Sequence, residues 1–342
     1  MPDVARAAVE PDTTALVHEA IIEAPVEEVW HVFSTGDGFR KLGVAQAKID
    51  LRIGGKMLTH YKPEPDGVIG DEGTIENTIL SYEPAKMIAF RITKPPAAFP
   101  FMRAYKNVWT VVTMDALADD RSRVRIACMG YGPDPEGQKM REFFDEGDAW
   151  TIRKLKEALE RAPAAEPVEA AESAPAEAGA TLAPIHTEAV VPAPVSEVWR
   201  SWTTSEGVKA FLTDANVELR VGGPFEFYFL PDAPQGARGS EGCTVLAYEP
   251  EKMLSFSWNA PPEFGPLREQ HTWVVVRMQP EGEKATRVSL THLGFEELAA
   301  GDPPNRDGWA EIRTYFDNAW PNVLAALVQH FEADGEREGE RG

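Results

Sequence analysis

The chain has 342 residues, enough for about two domains with a core in each. Its 43% apolar and 26% charged residues are the balance of a globular protein, and its net charge of −21 repels phosphate backbones and anionic lipid, which argues against nucleic acid as a partner. Two cysteines, Cys128 and Cys243, are too few for a disulfide framework or a cysteine-rich metal site.

Residues 1–14 carry charges and prolines rather than an apolar leader, and no stretch approaches the roughly 20 apolar residues of a membrane span. A cytoplasmic protein is expected. The first strand runs from Val17 to Ile22 and ends at Ala24-Pro25. Pro25 suits the first turn of a helix carrying Val26, Val29, Trp30 and Phe33, with Gly36 and Gly38 as its stop. Strand-like runs follow at 47–51, 56–61, 73–81, 87–93, 107–114 and 123–128, separated by Gly, Pro and Asp turns. A long helix from about Gln138 to Glu160 closes the pattern, with an apolar stripe that includes Met140, Phe144 and Leu155.

The pattern then repeats. Ala24 to Trp30 (APVEEVW) recurs as Ala193 to Trp199 (APVSEVW), Leu51 to Gly55 (LRIGG) as Leu219 to Gly223 (LRVGG), and Tyr82 to Met87 (YEPAKM) as Tyr248 to Met253 (YEPEKM). Trp109 pairs with Trp273, Gly130 with Gly294, and Trp150 with Trp320. Order is kept and the offset drifts only between 164 and 170, as loop insertions would produce. The expected organisation is one domain over 14–161, an Ala/Pro/Glu-rich linker over 162–184, a second domain over 185–332 and a charged, frayed tail over 333–342. Each domain reads as β–α, an antiparallel meander, then one long helix covering the sheet.

With these words in it, that architecture resembles the SRPBCC (START-like) superfamily. It is most similar there to the C-terminal domain of activators of the heat-shock chaperone ATPase, the Aha-type family. The resemblance implies an α+β fold of two tandem helix-grip domains, each a curved antiparallel sheet wrapped around a long C-terminal helix and a hydrophobic cavity. It implies a small hydrophobic or amphipathic ligand, or a protein partner such as a chaperone. It leaves activity open, because the superfamily holds carriers, cyclases and regulators.

No metal-ligand spacing, phosphate loop or nucleophile elbow appears, so no metal, cofactor or covalent catalysis is expected. Gly54-Gly55 and Gly222-Gly223 read as hairpin turns needing positive φ. Asp145, Glu146 and Asp148 read as a solvated helix face with no acid–base role. His292 is in phase with Val288 and Leu290, so it is either a polar anchor in a cavity or, the preferred reading, a hydrogen-bonded core histidine. Cys128 takes its place in the first copy. The aromatic set Phe225, Phe227, Phe229, Phe256, Trp258, Trp273, Phe316 and Trp320 is either closed core or cavity lining. Three phenylalanines stand where the first copy has Met57, Thr59 and Tyr61, so the second domain is expected to hold the better ligand cavity. Binding without catalysis is the leading function; chaperone regulation and a cyclase- or hydrolase-like activity are the alternatives. Converging polar groups in an open cavity would favour the enzyme.

Overall fold

The structure, a computed structural model, describes residues 13–160 and 182–339, side chains excepted for the last six. The chain divides into two compact units, one around each described stretch. Most of the expected linker, residues 162–181, lies outside the described residues.

In the first unit β1 (Leu16–Ile22) leads into α1 (Val26–Ser34) and α2 (Gly36–Arg40). Then come β2 (Gln46–Ile49), β3 (Lys56–His60), β4 (Ile75–Glu83), β5 (Met87–Lys94), β6 (Trp109–Ala118) and β7 (Arg121–Met129), and α3 (Pro135–Glu160) ends the unit. The strands form one antiparallel sheet in the order β1-β7-β6-β5-β4-β3-β2, so the first strand returns to pair with the last. The apolar residues of α1, Val26, Val29, Val32 and Phe33, are buried, and Glu27 and Glu28 sit in its first turn, where the helix dipole favours acid. α1 ends before Gly36 as expected, but the glycines open a second helix: the Gly38 N–H donates to the Thr35 hydroxyl at 3.0 Å, the capping bond that starts α2.

The second unit repeats the plan with β8 (Ile185–Val191), α4 (Val195–Thr203), α5 (Ser205–Phe211), β9 (Ala215–Val217) and β10 (Phe225–Phe227). It continues with β11 (Val245–Glu249), β12 (Met253–Trp258), β13 (Thr272–Pro280), β14 (Thr286–Leu293), α6 (Phe295–Gly301) and α7 (Arg306–Gly339). Five strands run β11-β12-β13-β14-β8, and β10 pairs with β9 in a separate ribbon tied to β11 by a bridge between Pro224 and Thr244. The long helix runs through to Gly339, past the point where the tail was expected to fray.

The shared words are turn chemistry. In YEPxKM the amides of Lys86 and Lys252 each donate to a carbonyl three residues back, Glu83 and Glu249, at 3.0 Å. Ala85 and Glu251 take φ of 55° and 60° behind the proline, the geometry of a type II turn. Gly54 and Gly222 have φ of 75° and 77°, as the hairpin reading requires.

Candidate functional site

In the second unit the grip is largely filled. Phe225, Phe227 and Phe256 have no solvent exposure and pack ring on ring, Phe225 to Phe256 at 4.2 Å and Phe225 to Phe227 at 4.9 Å. Trp258 packs against Phe227 at 5.5 Å and Trp320 at 5.3 Å. Trp273 points to the other face of β13 from Val274 and Val276 and lies over Gly294, where a Cβ would meet the ring at 2.7 Å. Phe229 lies beyond the end of β10 and is 45% exposed. What remains is a cavity of about 290 Å³, lined among others by Phe229, Trp258, Phe316, Trp320 and Arg268. Of the expected aromatic set, Phe225, Phe227, Phe256 and Trp273 stand outside that lining. The Arg268 guanidinium is committed to the carbonyls of Gly236, Ala260 and Gly239.

His292 is fully buried between Phe295 and Phe316, at ring distances of 4.6 and 4.8 Å. The Trp320 Nε1–H donates to its Nδ1 at 2.9 Å, which leaves Nε2 to carry the proton and donate to the Thr272 hydroxyl at 2.7 Å. Thr272 in turn donates to the Trp258 carbonyl at 2.8 Å. Both ring nitrogens of His292 are thus satisfied inside the core, and burial holds the imidazole well below its ordinary pKa. This is the hydrogen-bonded core histidine, and it is absent from the cavity wall.

The first unit reverses the expectation: its cavity, of about 690 Å³, is the larger. Strand registers give the reason. Thr110 and Cys128 face each other across β6 and β7 as Val274 and His292 do across β13 and β14. Met57 and Thr59 hold the places of Phe225 and Phe227, and Ile92 that of Trp258. On the final helix the side chain that reaches the 128/292 position is Asp148 in one unit and Trp320 in the other. The helices are therefore in register at an offset of 172, with Phe144 matching Phe316 and Leu155 matching Leu327. Trp150 does not match Trp320; its ring lies on Gly43 at the cavity wall. The second unit thus carries rings where the first carries a threonine, an isoleucine and a carboxylate.

That carboxylate corrects the view of Asp148 as part of a solvated face. Its Oδ2 accepts from the Cys128 thiol at 3.2 Å, and Cys128 also lies 3.2 Å from the Thr110 hydroxyl. Burial pushes the Asp148 carboxyl up to about 6, and burial with the neighbouring carboxylate pushes the Cys128 thiol higher still. The Tyr131 hydroxyl is buried beside Cys128 without a well-formed hydrogen bond among the described residues. All four side chains line the cavity. Asp145, one turn before Asp148, is paired instead with His18 at 2.8 Å, so only one of the two acids turns inward. Elsewhere on the lining His60 Nε2 lies 3.1 Å from Asp71, and Phe99, Phe143 and Phe144 cluster at ring spacings of 5.4 to 6.4 Å, with Phe143 edge-to-face to both others. Among the described residues no three His, Cys, Asp or Glu side chains converge as a metal site, and no helix is long and apolar enough to cross a membrane.

Residues 23–160 and 192–332 match the family described as "Activator of Hsp90 ATPase homolog 1-like protein". The chain belongs to this family, within the SRPBCC superfamily, and carries its domain in two tandem copies. No curated protein matches it in sequence. Among solved structures, the di-domain ARO/CYC protein BexL from the BE-7585A biosynthetic pathway is similar over 93% of this chain and 98% of its own, at 14% identity and a TM-score of 0.36. The Aha1 dimer from Colwellia psychrerythraea is similar over 43% of this chain and 97% of its own, at 14% identity and a TM-score of 0.34. An HSP90 activator from Plasmodium falciparum covers 42% and 94%, at 10% identity and a TM-score of 0.32.

Proposed function

We propose that the protein binds a small amphipathic ligand in the cavity of its first domain, while the second domain serves as a packed companion with little room of its own. The observation that carries this reading is the 690 Å³ cavity, which lies within the usual range for small-molecule sites, has mainly apolar walls, and has Thr110, Cys128, Tyr131 and Asp148 gathered where the helix meets the sheet. Native mass spectrometry of the purified chain should show a co-purifying small molecule or saturable uptake of an apolar dye. Thr59→Phe puts into the first domain the ring that fills the second and should abolish that uptake; Phe227→Thr should create uptake in the second. Dye binding unaffected by Thr59→Phe would reject the reading, and stimulation of a chaperone ATPase by the dye-free chain would replace it with the activity named by the family.

A second reading has its own observation. Asp148, Cys128 and Tyr131 converge on one open cavity, and a carboxyl near 6 exchanges its proton close to neutrality. The cavity therefore also supports acid–base chemistry on its occupant. Once the occupant is known, turnover abolished by Asp148→Asn with binding retained would establish it.

A further inference from the structure

The polar groups of the first domain's cavity differ in kind from those of a site for an acid or a sugar. Asp148 projects from α3 to the sheet, and its one hydrogen-bond donor there is a thiol, the weakest donor among protein side chains. Its other oxygen, Oδ1, accepts no hydrogen bond among the described residues. Facing Asp148 from the packed elements are Cys128 and Tyr131 from the β7 side and His18 from β1, the last already paired with Asp145. The guanidinium of Arg141, two turns earlier on α3, lies over the Tyr131 ring at 5.8 Å and is not a hydrogen-bond partner of Asp148. Around the cavity stand four carboxylates, Asp66, Asp71, Glu72 and Asp148, against two cationic side chains, Lys62 and Arg91. One helical turn before Asp148 is Phe144, whose ring meets Phe143 and Phe99. Aromatic rings lining the same cavity as an under-partnered carboxylate are surroundings that stabilise an organic cation, by ring quadrupole and by ion pair together.

We propose that the first domain selects an amphipathic amine, with its protonated nitrogen on Asp148 and its apolar body against the rings of Phe99, Phe143 and Phe144. This rests on the ligand-binding reading above and names the chemistry of the ligand. A bound ammonium supplies the charged donor that Cys128 does not, and it lets the half-buried Asp148 stay ionised. In the second domain Trp320 occupies the place of Asp148, and the carboxylate on its smaller cavity, Glu263, shares the wall with Arg268.

The test uses the full chain and three dansyl probes of one body: dansylcadaverine, a cation; its N-acetyl derivative, neutral; and dansyl-6-aminohexanoate, an anion. At pH 7.5 the cation should bind about tenfold or more tighter than the other two. Asp148→Asn should remove that preference and leave the affinity of the neutral probe within about twofold, and Asp148→Glu should keep part of it. Thr59→Phe should abolish binding of all three. Equal affinities for the cation and the neutral probe would overturn the inference while leaving the cavity as a ligand site. So would a preference that survives Asp148→Asn or Thr59→Phe, since the acidic surface would then be its source. Failure of all three probes to bind would overturn both readings.

Discussion

The two grips share a backbone plan and differ in what they put between sheet and helix. At the point where the last helix crosses the penultimate sheet position, one unit joins Asp148 to Cys128 and the other joins Trp320 to His292. At matched places the second unit carries the bulkier ring, Trp202, Phe227 and Trp258 where the first carries Phe33, Thr59 and Ile92. A sheet that curves around a helix fixes a space, and side-chain volume decides whether the space is core or cavity. The same fold can therefore hold a site in one copy and a structural core in the other, which is why the fold by itself names no function.

The largest effect expected from breaking the comparison is at Trp320. Its ring is buried, stacks on Phe316 at 6.0 Å and donates to His292, so Trp320→Ala removes packing and strands Nδ1 together. The cost should be about 3–5 kcal/mol, read as a lower denaturant midpoint for the second domain. An unchanged midpoint would mean the helix register described here is wrong. Asp148→Ala at the matching place should cost far less, and removal of a half-buried carboxyl should be neutral or stabilising near pH 7.

Acid should move the two domains in opposite directions. Asp148 is raised to about 6, above its value in an unfolded chain. Between about pH 4 and 6 the native state holds a proton there that the unfolded state does not, so this contribution is full at low pH and is lost as pH rises through about 6. That difference between the folded and unfolded carboxyl is worth up to about 3 kcal/mol. His292 is lowered, so the unfolded chain takes the proton first and stability falls as pH drops below about 6.5. Hydrogen exchange followed by domain from pH 7 to 5 should show protection contributed by Asp148 rising in the first and that contributed by His292 falling in the second. Asp148→Asn and His292→Gln should each flatten their own slope; a slope that survives its substitution would assign the effect to other groups.

The repeat, the strands and the two long helices were legible because alternation and turn residues are local properties. The short helix α2 was not, since Gly36 and Gly38 read as breakers and the Thr35 cap becomes visible only once the chain has turned. Spacing along a strand puts Phe225 and Phe227 on one face but says nothing of what approaches from the opposite wall. By letter Trp150 matches Trp320, whereas the packed register is set by the side chain that reaches position 128 or 292. Asp148 is hidden in the sequence for the same reason. Its neighbours Asp145 and Glu146 are solvent-facing, and a single inward acid among three is decided by helix phase rather than by composition.

The smallest expected effect isolates the polar contact that distinguishes the first grip. Cys128 donates to Asp148 through sulfur, and a hydroxyl in its place is a stronger donor to a carboxylate. Cys128→Ser should therefore favour ionised Asp148 and lower its apparent pKa, by less than about one unit, with a stability change within about 1 kcal/mol. Carbon-13 titration of the Asp148 carboxyl reads the shift directly. An Asp148 titration unmoved by the substitution would show that the thiol is not its donor. The cluster would then owe its raised carboxyl to burial alone, as His292 owes its lowered imidazole, and the two grips would differ in volume but not in the way they hold their polar groups.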